Sequence, residues 1–143
     1  MDSVGGRCSG RFLLKLPALV LAAGIWYLSS LPVLPKPVGL LGFDKFQHFL
    51  AYCALAAAIA LWFSREKWRR SGFGLPALTA ALASIYGLID EIHQYFVPGR
   101  NCDAGDWISD TLGALAAAAA VKLALGRRKG IFIKTETGDF NRE

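Results

Sequence analysis

Charge is scarce in this sequence. Only 19% of its 143 residues are Asp, Glu, Lys or Arg, against 54% hydrophobic. A soluble chain of this size needs more polar surface than that to cover its core, so an ordinary soluble domain is excluded. The net charge of +5 comes in short blocks. There is no basic face with interleaved polar or aromatic readers, which argues against a nucleic-acid partner. The three cysteines, Cys8, Cys53 and Cys102, are too few for a disulfide framework. Neither HExxH nor a CxxC-type spacing occurs, so no metal ligand set and no cofactor is expected from motif alone. No A-x-A-like cleavage site follows the first apolar run, where SSLPVLPKP stands instead; that run is therefore expected to be retained.

Long apolar runs are what the sequence does have. Four segments, about 12–34, 46–63, 75–96 and 107–125, each approach the roughly 20 residues that cross about 30 Å of hydrocarbon as a helix. Backbone groups in lipid must be satisfied internally, and nothing here alternates as a β-barrel would. The expected fold is all-α: a four-transmembrane-helix bundle with short loops over residues 12–126, followed by a basic tail, 127–143.

Basic residues set the expected orientation. Arg7, Arg11 and Lys15 stand at the start of the first span, Arg65, Lys67, Arg69 and Arg70 follow the second, and Lys122, Arg127, Arg128 and Lys129 stand at the end of the fourth. The other two connections hold only Lys36, Lys45 and Arg100. The positive-inside bias then makes both termini and the 64–74 loop cytoplasmic in a bacterial inner membrane. Trp26, Tyr27, Tyr95 and Trp107 fall near the outer interface, and Trp62 and Trp68 near the inner one. On this topology no two cysteines share a compartment.

The acids lie against that pattern. Six of the eleven, Asp44, Asp90, Glu91, Asp103, Asp106 and Asp110, map to the outer side or just beneath it. Asp90 is fifteen residues past Leu75, about 22 Å along a helix rising 1.5 Å per residue. Four-residue spacing puts Asp44, His48 and Tyr52 on one stripe, Tyr86 and Asp90 with His93 or Gln94 on a second, and Asp106 with Asp110 on a third. A carboxylate facing lipid costs at least about 2.5 kcal/mol near mid-membrane. The three stripes should therefore face one another and line a polar pocket open to the outer side.

Simpler roles compete for some of these residues. Asp44, Asp103 and Asp106 sit at helix starts, where carboxylates cap. Lys45 can snorkel, and Gly113 with the alanines after it can serve close helix packing. Asp90 and Glu91 lie near a helix end where the dipole disfavours anions, so capping does not account for them.

Three sequence elements together, DKFQHFLAY (Asp44–Tyr52), YGLIDEIHQYFVPGR (Tyr86–Arg100) and DWISDTLGA (Asp106–Ala114), resemble the VanZ-like family of small bacterial membrane proteins. The resemblance runs from about Phe43 to Gly113. It implies an integral membrane protein of the cell envelope, in a family whose namesake is associated with lowered susceptibility to teicoplanin, a glycopeptide antibiotic. The family pattern falls on Asp44, Lys45, His48, Asp90, Glu91, Gln94, Pro98, Gly99, Arg100, Asp106 and Gly113. Asp110 stands where that pattern leads one to expect asparagine, which adds a negative charge.

Three functions remain open at this level. One is engagement of membrane lipids, a polyprenyl-linked cell-wall precursor or a glycopeptide. In it Asp44, Lys45, Tyr52, Gln94, Arg100, Asp106 and Asp110 bind the ligand, with Arg100 clamping a phosphate. The second is an enzyme acting on a phosphate- or sugar-bearing lipid, with Asp90 or Glu91 as base and His48 as proton donor. The third is a small proton-coupled transporter element, which four short helices could form only as an oligomer. Six acids against Lys36, Lys45 and Arg100 leave a formal −3 at the site, which protonation or a divalent cation could relieve.

Overall fold

A computed structural model describes residues 12–32 and 43–126. The N-terminal arginines, Cys8, Lys36 and the basic tail lie outside those residues. Among the described residues every regular element is helical: α1 (Leu16–Ser29), α2 (Phe43–Ala60), α3 (Arg65–Arg70), α4 (Gly74–Tyr95) and α5 (Ala104–Gly126). Two of them, α4 and α5, are long and apolar enough to cross a membrane.

The helix ends have local causes. α1 carries proline in its first turn and stops earlier than hydropathy suggests. The hydroxyl of Ser30 donates to the Trp26 carbonyl at 2.6 Å, and Pro32 follows. α2 begins three residues earlier than hydropathy suggests, because its first turn takes in Asp44 and Lys45. Beyond Ala60, Leu61, Trp62 and Phe63 donate to the carbonyls three residues back, so the last turn tightens. α4 closes on a Pro98-Gly99 turn: the Arg100 amide donates to Val97 O at 3.1 Å and Gly99 takes φ 81°. The Asp103 carboxylate then caps α5 by accepting the Gly105 amide at 2.7 Å.

The 64–74 connection, expected as loop, contains α3. Ser64 caps it by accepting the Lys67 amide. Trp68 is buried beneath it and donates its indole N–H to Ala60 O at 3.0 Å. At its other end, Lys122 donates to the Trp68 carbonyl at 2.7 Å.

α2 and α5 form the most extensive interface, with α4 packed on both and α1 against α2 and α4. Small residues make this possible. Ala56, Ala83, Ala114 and Ala118 are almost wholly buried, and Gly113 sits directly on α2. A Cβ on Gly113 would lie 2.2 Å from the Phe49 carbonyl oxygen. Large apolar side chains point outward instead: Val20, Ile85, Ile92, Phe96, Ile108 and Leu112 are all exposed. The interior mixes alanines and polar groups with a few large residues, Tyr52, Leu55, Ile59 and Trp68, while most large apolar side chains of α4 and α5 face outward, as suits a bundle in apolar surroundings.

Candidate functional site

The C-terminal ends of α1 and α4 and the N-terminal ends of α2 and α5 meet at one end of the bundle. They enclose a cavity of about 410 Å³. Asp44, His48, Tyr52, Asp90, Gln94, Arg100, Asp103 and Asp106 line it, with Ser29, Gln47 and Asn101 between them. Glu91 and Asp110 are buried beside it.

The three stripes do converge. From α2, Lys45 reaches α5: its Nζ donates to Asp103 Oδ2 at 2.7 Å and to Asp106 Oδ1 at 3.0 Å. Asp103 therefore pairs with Lys45 as well as capping its helix. The ammonium and the Gly105 amide hold the Asp103 carboxyl below its ordinary range, and the two carboxylates raise the Lys45 pKa. Both side chains of the Lys45–Asp103 pair are about half-exposed, so water and salt screen it. One turn further in, His48 Nδ1 meets Asp110 Oδ1 at 2.9 Å, and His48 Nε2 lies 4.0 Å from Asp106 Oδ2. Asp44 accepts the Lys45 amide at 3.1 Å.

α4 supplies the carboxylates that sequence could not explain locally. Asp90 Oδ1 accepts the Ser29 hydroxyl at 2.5 Å, and Oδ2 accepts Gln94 Nε2 at 3.1 Å. Glu91 Oε2 accepts the Asp103 amide at 2.9 Å, and Oε1 accepts Gln94 Nε2 at 3.4 Å. Both residues are almost fully buried, and the donors given to them are neutral rather than Lys45 or Arg100. Two buried polar atoms nearby, Tyr52 Oη and Asp110 Oδ2, have no hydrogen-bond partner among the described residues.

Arg100 has two of its five N–H groups committed. Nε donates to Leu31 O at 3.0 Å and Nη2 to Leu28 O at 2.8 Å, so it closes the C-terminus of α1. Arg100 also lines the cavity, and its other three N–H groups have no partner among the described residues. The neighbouring residues His93 and Gln94 separate: Gln94 turns inward to Asp90 and Glu91, whereas His93 stacks on Trp26 with centroids 4.0 Å apart and meets Ser30 Oγ at 3.0 Å. Tyr86 leaves its stripe to donate to Ala22 O at 2.6 Å. Trp107 donates to Ser84 O at 3.1 Å and so is tied to α4.

Ser29 is a site residue that sequence reading missed. Its signal was a pair of serines closing an apolar run, which hydropathy absorbs into the helix. Gly87 is another: a Cβ there would lie 2.8 Å from Asp110 Oδ2 and 3.2 Å from Tyr52 Cε1, so only glycine leaves room for both. Cys53 and Cys102 are unbridged.

Fold and site together describe a helical bundle of membrane type, apolar outside, with a carboxylate-rich cavity at one end. A family model described as VanZ/LLP1 matches residues 11–125, and the chain belongs to that family. No curated protein and no solved structure matches it.

Proposed function

We propose that the chain is a multi-pass protein of the bacterial inner membrane, with four spans and both termini cytoplasmic. Its cavity opens outward and engages the head group of a lipid-linked envelope component, such as a polyprenyl-linked cell-wall precursor. The observation that carries this reading is the cavity itself. At about 410 Å³ it falls in the size range of small-molecule sites. Carboxylates of Asp90 and Asp106 offer acceptors to hydroxyl or amine donors of a head group, and the guanidinium of Arg100 suits a phosphate. The exposed apolar side chains of α1 and α4 beside it, such as Leu28 and Ile89, suit an acyl or polyprenyl chain.

The test uses the full chain in nanodiscs containing a polyprenyl-phosphate-linked sugar, with bound lipid read by native mass spectrometry. Wild type should retain the linked lipid over bulk phospholipid, and Asp90→Asn should lose most of it. Equal retention by both proteins would reject the reading. Teicoplanin added to the same samples asks whether a glycopeptide takes the same cavity, as a teicoplanin-resistance role would require.

A second reading is catalysis on a phosphate- or sugar-bearing lipid, and the His48–Asp110 hydrogen bond beside buried Glu91 favours it. Conversion of the retained lipid by wild type, absent in Glu91→Gln, would select it over simple binding.

A further inference from the structure

We propose that His48, Glu91 and Asp110 form a binding site for a first-row divalent cation at the floor of the cavity. One ligand atom from each of the three lies within 4.8 Å of the others. Metal–ligand bonds of about 2.1 Å hold ligand atoms roughly 3–4 Å apart, so side-chain shifts of about an ångström close the site. The residues come from three different helices, α2, α4 and α5, and such a cation would tie the bundle together at this depth.

The donor set is chemically suitable. With its proton on Nε2, His48 offers the Nδ1 lone pair, and Nδ1 and Asp110 Oδ1, 2.9 Å apart, already stand close to the spacing of two ligands on one ion. An imidazole with two carboxylates suits Zn²⁺ or Mn²⁺ better than the all-oxygen sets that Ca²⁺ and Mg²⁺ prefer. Two carboxylates, one neutral imidazole and a dication also sum to zero charge, which is the inexpensive way to bury this cluster.

An independent observation points to a missing ligand. Asp110 is fully buried, yet its Oδ2 has no partner among the described residues. The Tyr52 hydroxyl is buried and unpartnered as well, and it lines the cavity. The Tyr52 ring edge and Asp110 Oδ2 both lie over the Cα of Gly87, so the two orphaned groups share one small space. Buried polar atoms without partners are costly and rare, and two together beside a His–carboxylate pair are explained by a cation and its bound water.

The site stands on these side chains whatever head group occupies the cavity above it, so its test uses metal alone. The full chain in detergent, stripped with chelator and re-purified, is titrated with Zn²⁺ and with Mn²⁺. Bound metal is read by elemental analysis and Mn²⁺ by electron paramagnetic resonance. One ion per chain is expected, with nitrogen coupling from His48. Asp110→Asn and Glu91→Gln should each weaken binding at least about tenfold. Glu66→Gln, an exposed acid at the opposite end, should not. His48→Gln should abolish the nitrogen coupling, and circular dichroism checks that each variant keeps its helices. No binding at millimolar metal, affinity equal to wild type in both carboxylate variants, or an ion without nitrogen coupling would each overturn the proposal and mark the metal as adventitious.

Discussion

Gly113 offers the sharpest test of how this bundle is held together. A Cβ at this position would fall 2.2 Å from the Phe49 carbonyl oxygen and 3.1 Å from the Cys53 amide nitrogen. Ordinary contact begins at 3.4 Å, so Gly113→Ala must push α5 away from α2 by about 1.2 Å. Backbone atoms cannot rotate aside as a side-chain tip can. Overpacking of this kind costs about 1–3 kcal/mol. It also strikes the site, because Asp110 is one turn before Gly113 and its partner His48 is adjacent to Phe49. Helices parted by that distance would stretch the 2.9 Å His48–Asp110 bond beyond hydrogen-bonding range. Gly24→Ala is the matched control: nothing lies within 4 Å of its added Cβ, and α1 is helical there. It should be neutral or stabilise by about 0.5–1 kcal/mol through the gain in helix propensity. The assay is reversible unfolding of both variants in the same detergent, followed by tryptophan fluorescence. If Gly113→Ala were as stable as wild type while Gly24→Ala behaved as expected, the close α2–α5 contact would be wrong.

Ser29→Ala removes a neutral donor from buried Asp90 and should cost about 1–3 kcal/mol; Ser29→Thr, which keeps the hydroxyl, should recover much of it in the same unfolding assay. Arg100→Lys should release the Leu28 and Leu31 carbonyls, since an ammonium cannot reproduce the guanidinium fork; amide exchange at the end of α1 should rise while α5 is unaffected. The Lys45–Asp103 pair fixes a pH dependence. Asp103 is held below its ordinary pKa, so its contribution is present above the ordinary carboxylate range and disappears as pH falls through the lowered value. Lys45, raised, keeps its contribution until pH climbs through its elevated value. Any stability difference between wild type and Asp103→Asn should thus be constant near neutral pH, vanish in strong acid, and shrink in high salt. Trp68→Phe should loosen α3 by about 1 kcal/mol through loss of the indole bond to Ala60 O, detectable as faster proteolysis between Phe63 and Gly74.

The polar stripes were legible because helical spacing and the cost of a carboxylate in lipid act on the same residues. Asp90, His48, Asp106 and Asp110 needed no neighbour to be identified as inward-facing. Spacing could not decide between His93 and Gln94, since three and four residues beyond Asp90 both lie on its face. The choice is made by α1, where Trp26 and Ser30 take the imidazole. Ser29 was hidden for a related reason: hydropathy averages over a window, and two serines after LVLAAGIWYL barely lower it. α3 was invisible to the same window, because its six residues are nearly all charged and its one apolar anchor is Trp68. The use of Arg100 to close α1 depends on a partner some seventy positions away, which no local pattern encodes.

The distribution of side chains changes what an ordinary hydrophobic core argument can say here. Leu112 and Ile108 face outward on α5, while the fully buried positions on the same helix are Asp110 and Ala114. Burial of the large apolar groups of α5 is therefore not what presses it onto α2, although Leu55 and Ile59 of α2 are buried in one cluster with Ala114, Ala117 and Ala118. Close contact of small residues and polar bonds across the interface must do it instead. These two forces pull on the same few positions. Gly87 and Gly113 bring the backbones near enough for Tyr52 and Asp110 to lie over α4 and for His48 to bond Asp110 across α2 and α5. The packing that holds the bundle and the polar cluster that gives it a site are one arrangement, so the site cannot be emptied of charge without also loosening the fold that surrounds it.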